Sequence, residues 1–214
     1  ITERLVGSEM CIRDSYITES PIEALSLYQA GIQTVASFSA HHVPYSFFQE
    51  HRDRDKQIFV ALNSDEAGIS GTLKNLRTLT DLGFSNVTMA QPPPGFDWND
   101  LLVAGAFDEK NGEQTFEESI WRGDLLLSGS AKEYWQIYRK RYPKLKTHIF
   151  SWDANTWIGT AKDDSPELGV ERIADCEIRL LYSLKDTANQ QRTRETFLLE
   201  TYSRREDRTQ DRMT

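Results

Sequence analysis

An acidic turn at residues 61–68, Ala-Leu-Asn-Ser-Asp-Glu-Ala-Gly, follows the apolar run at 58–60 and precedes a segment with helical spacing. The carboxyl end of a buried strand is a common place for an α/β sheet to hold a metal ion or a phosphate. Two further acidic groups follow predicted strands, namely Glu19 and the run Asp97-Trp98-Asn99-Asp100. The sequence therefore predicts a metal or phosphate site built from these three groups.

Strands and helices alternate from residue 16 to about residue 105. Short apolar runs at 16–18, 34–38, 57–62 and 86–89 predict four strands. Helical spacing predicts helices at 44–51, 67–82 and 97–104, and another that begins after Ser20, where Pro21 takes the first helical position. Such alternation predicts a mostly parallel four-stranded sheet with helices on both faces. The right-handed crossover rule then brings all three acidic groups to one edge of the sheet.

The pattern changes after residue 105. Helical spacing is found at 113–127 and 131–142, and the runs 148–152 and 156–160 predict a β-hairpin. Two more strands are expected at 176–184 and 196–202. Residues 110–202 are therefore predicted to form a smaller α+β domain of unknown role.

Both ends of the chain are expected to lie outside these domains. Residues 6–14 resemble translated sequencing-adapter read-through, so we expect the lead 1–15 to be non-native or disordered. The tail 203–214 is rich in Arg and Asp with almost no apolar residue, and this composition predicts disorder.

Composition excludes several classes of protein. No apolar run approaches the roughly 18 residues of a membrane span, and the start of the chain lacks the layout of a signal peptide, so a cytoplasmic protein is expected. The two cysteines, Cys11 and Cys176, form no C-x-x-C pair, which argues against a zinc ribbon. A net charge of −8 argues against binding nucleic acid through overall charge, yet it leaves room for a local basic patch.

Such a patch is predicted within residues 132–146, where basic and aromatic residues are interleaved. This composition suits single-stranded nucleic acid, through phosphate contacts and base stacking. An amphipathic helix with a solvated basic face is the alternative interpretation. The residues expected to bind nucleic acid are Lys132, Arg139, Lys140 and Arg141, and the aromatic residues among them are Tyr134, Trp135, Tyr138 and Tyr142.

Three blocks, in this order and spacing, resemble the toprim domain of primases, topoisomerases and related nucleases: Glu19-Ser20-Pro21-Ile22-Glu23-Ala24-Leu25-Ser26, the turn at 61–68, and Asp97-Trp98-Asn99-Asp100. The nearest likeness is to plasmid- and phage-type primases and mobilisation proteins. The resemblance covers about residues 16–105, roughly half of the chain. It implies a toprim-like sheet and a role in DNA replication or mobile-element transfer.

The resemblance also implies roles for particular residues. Glu19 takes the place of the general acid or base, and Asp65 that of the second aspartate in an Asp-x-Asp pair that binds Mg²⁺ or Mn²⁺. Asp97 and Asp100 match the acidic block beside the metal. Because Mg²⁺ prefers oxygen ligands and keeps several waters, one or two carboxylates can hold it while phosphates complete the shell.

The sequence departs from the family pattern at two positions. Asn63 stands where the family has its first metal aspartate, so the site loses a negative charge and its metal affinity should fall. Ser39 stands where the family usually has Gly after the second strand. Each acid also has a structural interpretation, because carboxylates near helix N-termini stabilise the helix dipole.

The implied activity is Mg²⁺-dependent nucleotidyl or phosphoryl transfer of the primase type. The zinc-binding module and basic segment that accompany toprim in many primases are missing, so a fragment of a larger protein or a reduced relative is expected. A non-catalytic nucleic-acid-binding module with a degenerate metal site and a toprim nuclease are the alternatives. The expected partners are single-stranded DNA or RNA, and a helicase or another replication protein.

Overall fold

The computed structural model describes residues 15–50, 57–161, 168–185, 195–203 and 208–213. Contacts divide the chain into two compact units, Ile1–Leu127 and Ser128–Thr214. Of the lead that was expected to be non-native or disordered, residues 1–14 lie outside the described residues, and Ser15 begins the first strand. None of the helices in the described residues is long and apolar enough to cross a membrane.

The first unit contains a parallel four-stranded sheet in the order β2-β1-β3-β4. The register aligns Ile17 with Val35 on one side and with Val60 on the other, and Val60 with Met89. All four strands run the same way, so their carboxyl ends share one edge. The predicted mostly parallel sheet is confirmed. Its strands are β1 (Ser15–Thr18), β2 (Thr34–Ala36), β3 (Ile58–Val60) and β4 (Val87–Met89).

Helices cover both faces of this sheet, and the two central strands, β1 and β3, are therefore buried on both sides. Tyr16 and Phe59 belong to a core cluster that includes Trp98 and Phe116, whereas Ile17, Ile58 and Val60 belong to a second cluster with Phe48 and Leu79. This alternation follows from the two-residue period of a strand. The helices are α1 (Pro21–Gln29), α2 (Tyr45–Glu50), α3 (Glu66–Asp81), α4 (Trp98–Val103) and α5 (Gly112–Leu127).

Helix α5 packs closely against the outer strand β4. A Cβ atom added at Gly123 would collide with the backbone carbonyl of Met89. The backbone amide of Gln91, just beyond β4, donates to the carbonyl of Ser119 at 2.9 Å. The sequence predicts that the second domain begins near residue 110, whereas the contacts place α5 in the first unit.

Among its described residues, the second unit combines one helix with two antiparallel three-stranded sheets, in agreement with the predicted α+β region. Trp135 of the helix and Phe150 form the centre of its core. Asp153 and Ala154 both have positive φ, as a two-residue hairpin turn requires. Its elements are α6 (Ala131–Arg141), β5 (Thr147–Trp152), β6 (Asn155–Ala161), β7 (Leu168–Ala174), β8 (Glu177–Lys185), β9 (Glu195–Ser203) and β10 (Arg208–Met213).

The end of the chain differs from the disordered tail that its composition predicts. Residues Arg208–Met213 form β10, which pairs antiparallel with β9. Backbone hydrogen bonds to a neighbouring strand do not depend on apolar side chains, so polar residues can form an edge strand. Residues 204–207 and 214 of the predicted tail lie outside the described residues.

Candidate metal and nucleic-acid site

The predicted acidic residues follow neighbouring strands at the carboxyl edge of the parallel sheet. Backbone hydrogen bonds continue the pairing past the strand ends, from Ser37 to Thr18 at 2.8 Å and from Ala61 to Ile17 at 2.8 Å. Glu19, after β1, and Asn63, after β3, therefore begin two adjacent loops. The topology delivers the acidic groups to one edge, as the alternation of strands and helices predicts.

Glu19 lies directly before the N-cap of α1 and is half-buried. The cap itself is made by other residues. The Ser20 hydroxyl accepts from the Glu23 amide at 3.2 Å, and the Glu23 carboxylate accepts from the Ser20 amide at 3.1 Å. Because this capping box satisfies the start of the helix, Glu19 is not needed as its cap.

Glu23 is a member of the acidic group that sequence reasoning missed. Its side chain is only 3% exposed. Burial raises the pKa of the Glu23 carboxyl above its ordinary value; the hydrogen bond from the Ser20 amide lowers that pKa, and the charges of Asp97 and Glu19 raise it. These electrostatic effects place Asp97 and Glu19 in the neighbourhood of Glu23. The pattern Ser-x-x-Glu at residues 20–23 was the signal for its capping role.

Replacing Glu23 by Gln is expected to stabilise the first unit at neutral pH. A raised carboxyl pKa means that the folded protein binds more protons than the unfolded chain, so the free energy of unfolding falls as pH rises from about 4.5 through the folded pKa. Gln keeps an acceptor oxygen for the Ser20 amide and carries no charge.

Urea unfolding from pH 4.5 to pH 8 measures the difference in stability between E23Q and wild type, with the exposed Glu117→Gln as control. The difference in the free energy of unfolding between E23Q and wild type should increase with pH, in favour of E23Q. A difference that stays constant over this range would contradict the burial of a charged Glu23.

Asp65 is the N-cap of α3. Its Oδ1 accepts from the Gly68 amide at 2.7 Å. Asn63, two residues earlier, is half-buried, and its Oδ1 is buried without a hydrogen-bond partner among the described residues. A buried acceptor without a partner costs free energy. This amide oxygen could therefore serve as a metal ligand.

Asp97 and Asp100 form the capping box of α4. The Asp100 amide donates to Asp97 Oδ1 at 2.7 Å, and the Asp97 amide donates to Asp100 Oδ2 at 3.1 Å. Trp98 Nε1 donates to the Ala61 carbonyl at 2.8 Å and so ties α4 to the end of β3. Both aspartates therefore have a structural role in positioning α4.

The number and type of ligand oxygens determine whether the carboxyl edge of the parallel sheet can bind a divalent metal ion. In the described parts of the chain, no three Asp, Glu, His or Cys side chains come together as a metal-binding group. Glu19 and Asp65 offer carboxylates and Asn63 an amide oxygen, and the capping bond occupies only one oxygen of Asp65. Two carboxylates can hold Mg²⁺ when waters and phosphates complete its shell. The donors fit Mg²⁺ in type, with one negative charge fewer than an aspartate at position 63 would give.

The region that contains the parallel sheet and the acids at its carboxyl edge is similar to a known family. Residues 16–102 match the family model described as Toprim-like. The Toprim-like domain runs from β1 into α4 and includes Glu19, Asn63, Asp65, Asp97 and Asp100. Such a domain implies a role in processing nucleic acid with a divalent metal ion. No match to the chain was found among curated proteins.

The basic residues predicted to bind nucleic acid lie on α6, outside the Toprim-like domain. Lys132 is in the first turn, and the others occupy the last turn, where positive charge stabilises the helix dipole. Arg139 Nη1 donates to the Tyr142 carbonyl at 3.3 Å beyond the helix end. A contact of these residues with phosphate remains a prediction.

Most aromatic residues interleaved with these charges face the core of the second unit. Trp135 is fully buried. Tyr134 stacks on Phe150 with 4.5 Å between ring centroids, and burial raises the pKa of Tyr134 to about 12. Tyr138 stacks on His148 at 4.0 Å. The rings expected to stack on bases thus pack mainly within the protein, which favours the amphipathic-helix interpretation for them.

Two further residues at the edge of the parallel sheet carried no sequence signal. After β2 the left-handed backbone conformation, which glycine favours, is found at Phe38, whose φ is 62°. Phe38 is one residue before Ser39, the position where the resemblance places the glycine of the family. The reason is that β2 ends at Ala36, earlier than its apolar run predicts. Gln91, after β4, is 1% exposed, and neither the oxygen nor the nitrogen of its side-chain amide has a hydrogen-bond partner among the described residues.

Proposed function

We propose that the Toprim-like domain catalyses Mg²⁺- or Mn²⁺-dependent nucleotidyl or phosphoryl transfer on single-stranded DNA or RNA. The observation that carries the proposal is the presence of Glu19, Asn63 and Asp65 in adjacent loops at the carboxyl edge of the Toprim-like sheet. We place this primase-like activity within a larger cytoplasmic protein of DNA replication or mobile-element transfer. A helicase or another replication protein is the proposed partner.

Each residue of this edge has a proposed part in the chemistry. Asn63 and Asp65 would hold the metal, which when bound stabilises negative charge on the attacking and leaving oxygens. Glu19, in the neighbouring loop, moves the proton to or from the reacting hydroxyl as general acid or base. The Asp65 cap fixes the start of α3, and with it the position of the loop that carries Asn63.

A non-catalytic nucleic-acid-binding module is the second candidate function. Two observations favour it: Asn63 is neutral, and Asp97 and Asp100 are engaged with each other's backbone amides. A module of this kind would keep the Toprim-like scaffold and bind a nucleic-acid strand without catalysing a reaction on it. Cleavage in place of synthesis uses the same metal chemistry, so a nuclease is a possible result of the same experiment.

The experiment supplies single-stranded DNA, ribonucleotides and Mg²⁺ or Mn²⁺, and follows strand length on a denaturing gel. Synthesis gives new primers and a nuclease gives shortened strands. Glu19→Gln should lower either rate by roughly 10² to 10⁴, the usual contribution of a general acid or base. Glu117→Gln, on the exposed side of α5, should leave the rate unchanged. Binding without any change in strand length would contradict catalysis and support the non-catalytic module.

A further inference from the structure

Helix α1 presents three large apolar side chains to solvent, while two polar side chains of the same helix are buried. Ile22 is 63% exposed, Leu25 62% and Tyr28 70%. Glu23 and Ser26, which lie between them in the sequence, are each only 3% exposed. A surface helix usually has the opposite pattern, with apolar residues towards the core and charged residues in water. Contact with water alone therefore does not explain the residues on the outer face of α1.

The three apolar side chains form a continuous stripe. Residues three apart are neighbours on the surface of a helix, so Ile22, Leu25 and Tyr28 follow one another along α1. The other exposed residues of α1 are Pro21 and Gln29. The exposed face of α1, a helix that is described in full, therefore carries no charge, in a protein in which 27% of the residues are charged. We call Ile22, Leu25 and Tyr28 the α1 stripe.

The inner side of α1 fixes the orientation of the helix. Ser20 and Glu23 exchange the two hydrogen bonds of the capping box. The Ser26 hydroxyl is within hydrogen-bond distance of Asn99 Oδ1 in α4, at 3.2 Å. Leu27 is fully buried in the core cluster on this face of the sheet. A rotation of α1 that buried the stripe would break these contacts and expose Leu27, so the stripe stays on the surface.

The absence of charge on the exposed face of α1 favours a second copy of this chain as its partner. Nucleic acid is bound through Lys and Arg contacts to phosphate, and helices that lie on membranes carry Lys and Arg beside their apolar face. The exposed face of α1 has neither residue, which leaves an apolar protein surface. At a net charge of −8, two copies repel each other least where no acidic side chain is exposed.

The area of the α1 stripe also suits a pair of copies. Large side chains that are about two-thirds exposed present roughly 100–150 Å² each, so the stripe presents roughly 400 Å² per copy. A standard interface buries about 800 Å² per partner, and somewhat more than half of that area is apolar. The stripe supplies most of this apolar part. Val103, one turn beyond Asn99 on the side of α4 that meets α1, is 79% exposed and adds to it.

We propose that the α1 stripe is the centre of a dimer interface between two copies of this chain. The stripe has the same spacing on either side of Leu25, so a two-fold axis at Leu25 places Ile22 of each copy against Tyr28 of the other. Leu25 then meets Leu25 across the axis, and the two antiparallel helices pack about 8–10 Å apart. This inference goes beyond nucleotidyl or phosphoryl transfer, and its test measures association and not activity.

Sedimentation velocity of wild type, L25E and L73E measures the association. Concentrations of about 1 to 100 μM cover the weak end of the affinities found for interfaces of standard size. Wild type should form a dimer, and L25E should weaken dimerisation at least roughly 30-fold, because it places a charge at the centre of the apolar contact. L73E is the matched control, since it changes an exposed leucine of α3, which covers the opposite face of the sheet. L73E should dimerise as wild type does.

A mixture of L25E and L25K tests the two-fold arrangement. Each variant alone should be monomeric with the near-UV circular dichroism of wild type, because Leu25 is exposed. The equal mixture should dimerise more tightly than either variant, since opposite charges then meet across the axis. A monomeric wild type would overturn the proposal, including one that binds a different protein through α1. Dimerisation of L25E at wild-type affinity, an equal loss in L73E, or no gain in the mixture would overturn it as well.

Discussion

Trp98→Ala is expected to lower the free energy of unfolding of the first unit by about 3–5 kcal/mol. Trp98 is fully buried, between Tyr16 at 6.3 Å and Phe107 at 6.5 Å between ring centroids. Its removal leaves a cavity that the surrounding rings fill only in part. It also removes the donor to the Ala61 carbonyl at 2.8 Å. Urea unfolding followed by near-UV circular dichroism measures the loss.

Two control variants separate the parts of this effect. Trp98→Phe keeps most of the ring packing and loses the indole N–H, so it should cost less, about 1–3 kcal/mol. Phe96→Ala, at an exposed ring two residues away, should change stability by less than about 0.5 kcal/mol. A Trp98→Ala variant that unfolds at the urea concentration of wild type would contradict the packing of α4 on the sheet.

Gly68→Ala is expected to destabilise the same unit by about 3 kcal/mol, although alanine is the better helix former by about 1 kcal/mol. A Cβ atom at Gly68 would collide with the backbone carbonyl of Asn63. Backbone cannot rotate away as a side chain can, so the start of α3 must move. That movement also disturbs the Asp65 cap, whose partner is the Gly68 amide.

The matched control for Gly68→Ala is Ser70→Ala, two residues further along the same helix at an exposed position. Ser70→Ala should stabilise the unit by a few tenths of a kcal/mol through helix propensity alone. Thermal and urea unfolding of the two variants give the comparison. If both variants gained stability, the close approach of α3 to the Asn63 loop would be wrong.

Periodicity predicted the first half of the fold because local pattern and tertiary structure agree there. Strands with apolar residues on both faces, such as Ile58–Val60, require helices on both sides of the sheet. Strands that are connected through such helices run parallel, so their carboxyl ends lie at the same edge. Periodicity shows that α5 has an apolar face, but it does not show which sheet that face covers. The strand β10 has Met213 as its one apolar residue and depends on backbone pairing with β9.

The sequence predicted that the acidic residues lie at one edge of the parallel sheet, but it did not distinguish their roles. An aspartate that follows a strand and precedes a helix can be the N-cap of that helix or a metal ligand, so Asp65 and Asp97 satisfy either pattern. Three-dimensional neighbours are needed to show that Glu23 is buried beside other charges. The exposed ring and positive φ of Phe38 depend on where β2 ends, which periodicity predicts only to within a few residues.

Titration calorimetry of Mn²⁺ binding tests the central claim most directly, with wild type, Asn63→Asp and Asp65→Ser. Serine keeps the N-cap of α3 and removes the carboxylate, so its effect reports metal binding and not helix stability. Wild type should bind Mn²⁺ weakly, Asn63→Asp should bind at least roughly tenfold more tightly because of its added charge, and Asp65→Ser should show no binding. Equal Mn²⁺ affinity in all three proteins would contradict a metal site at this edge of the Toprim-like domain.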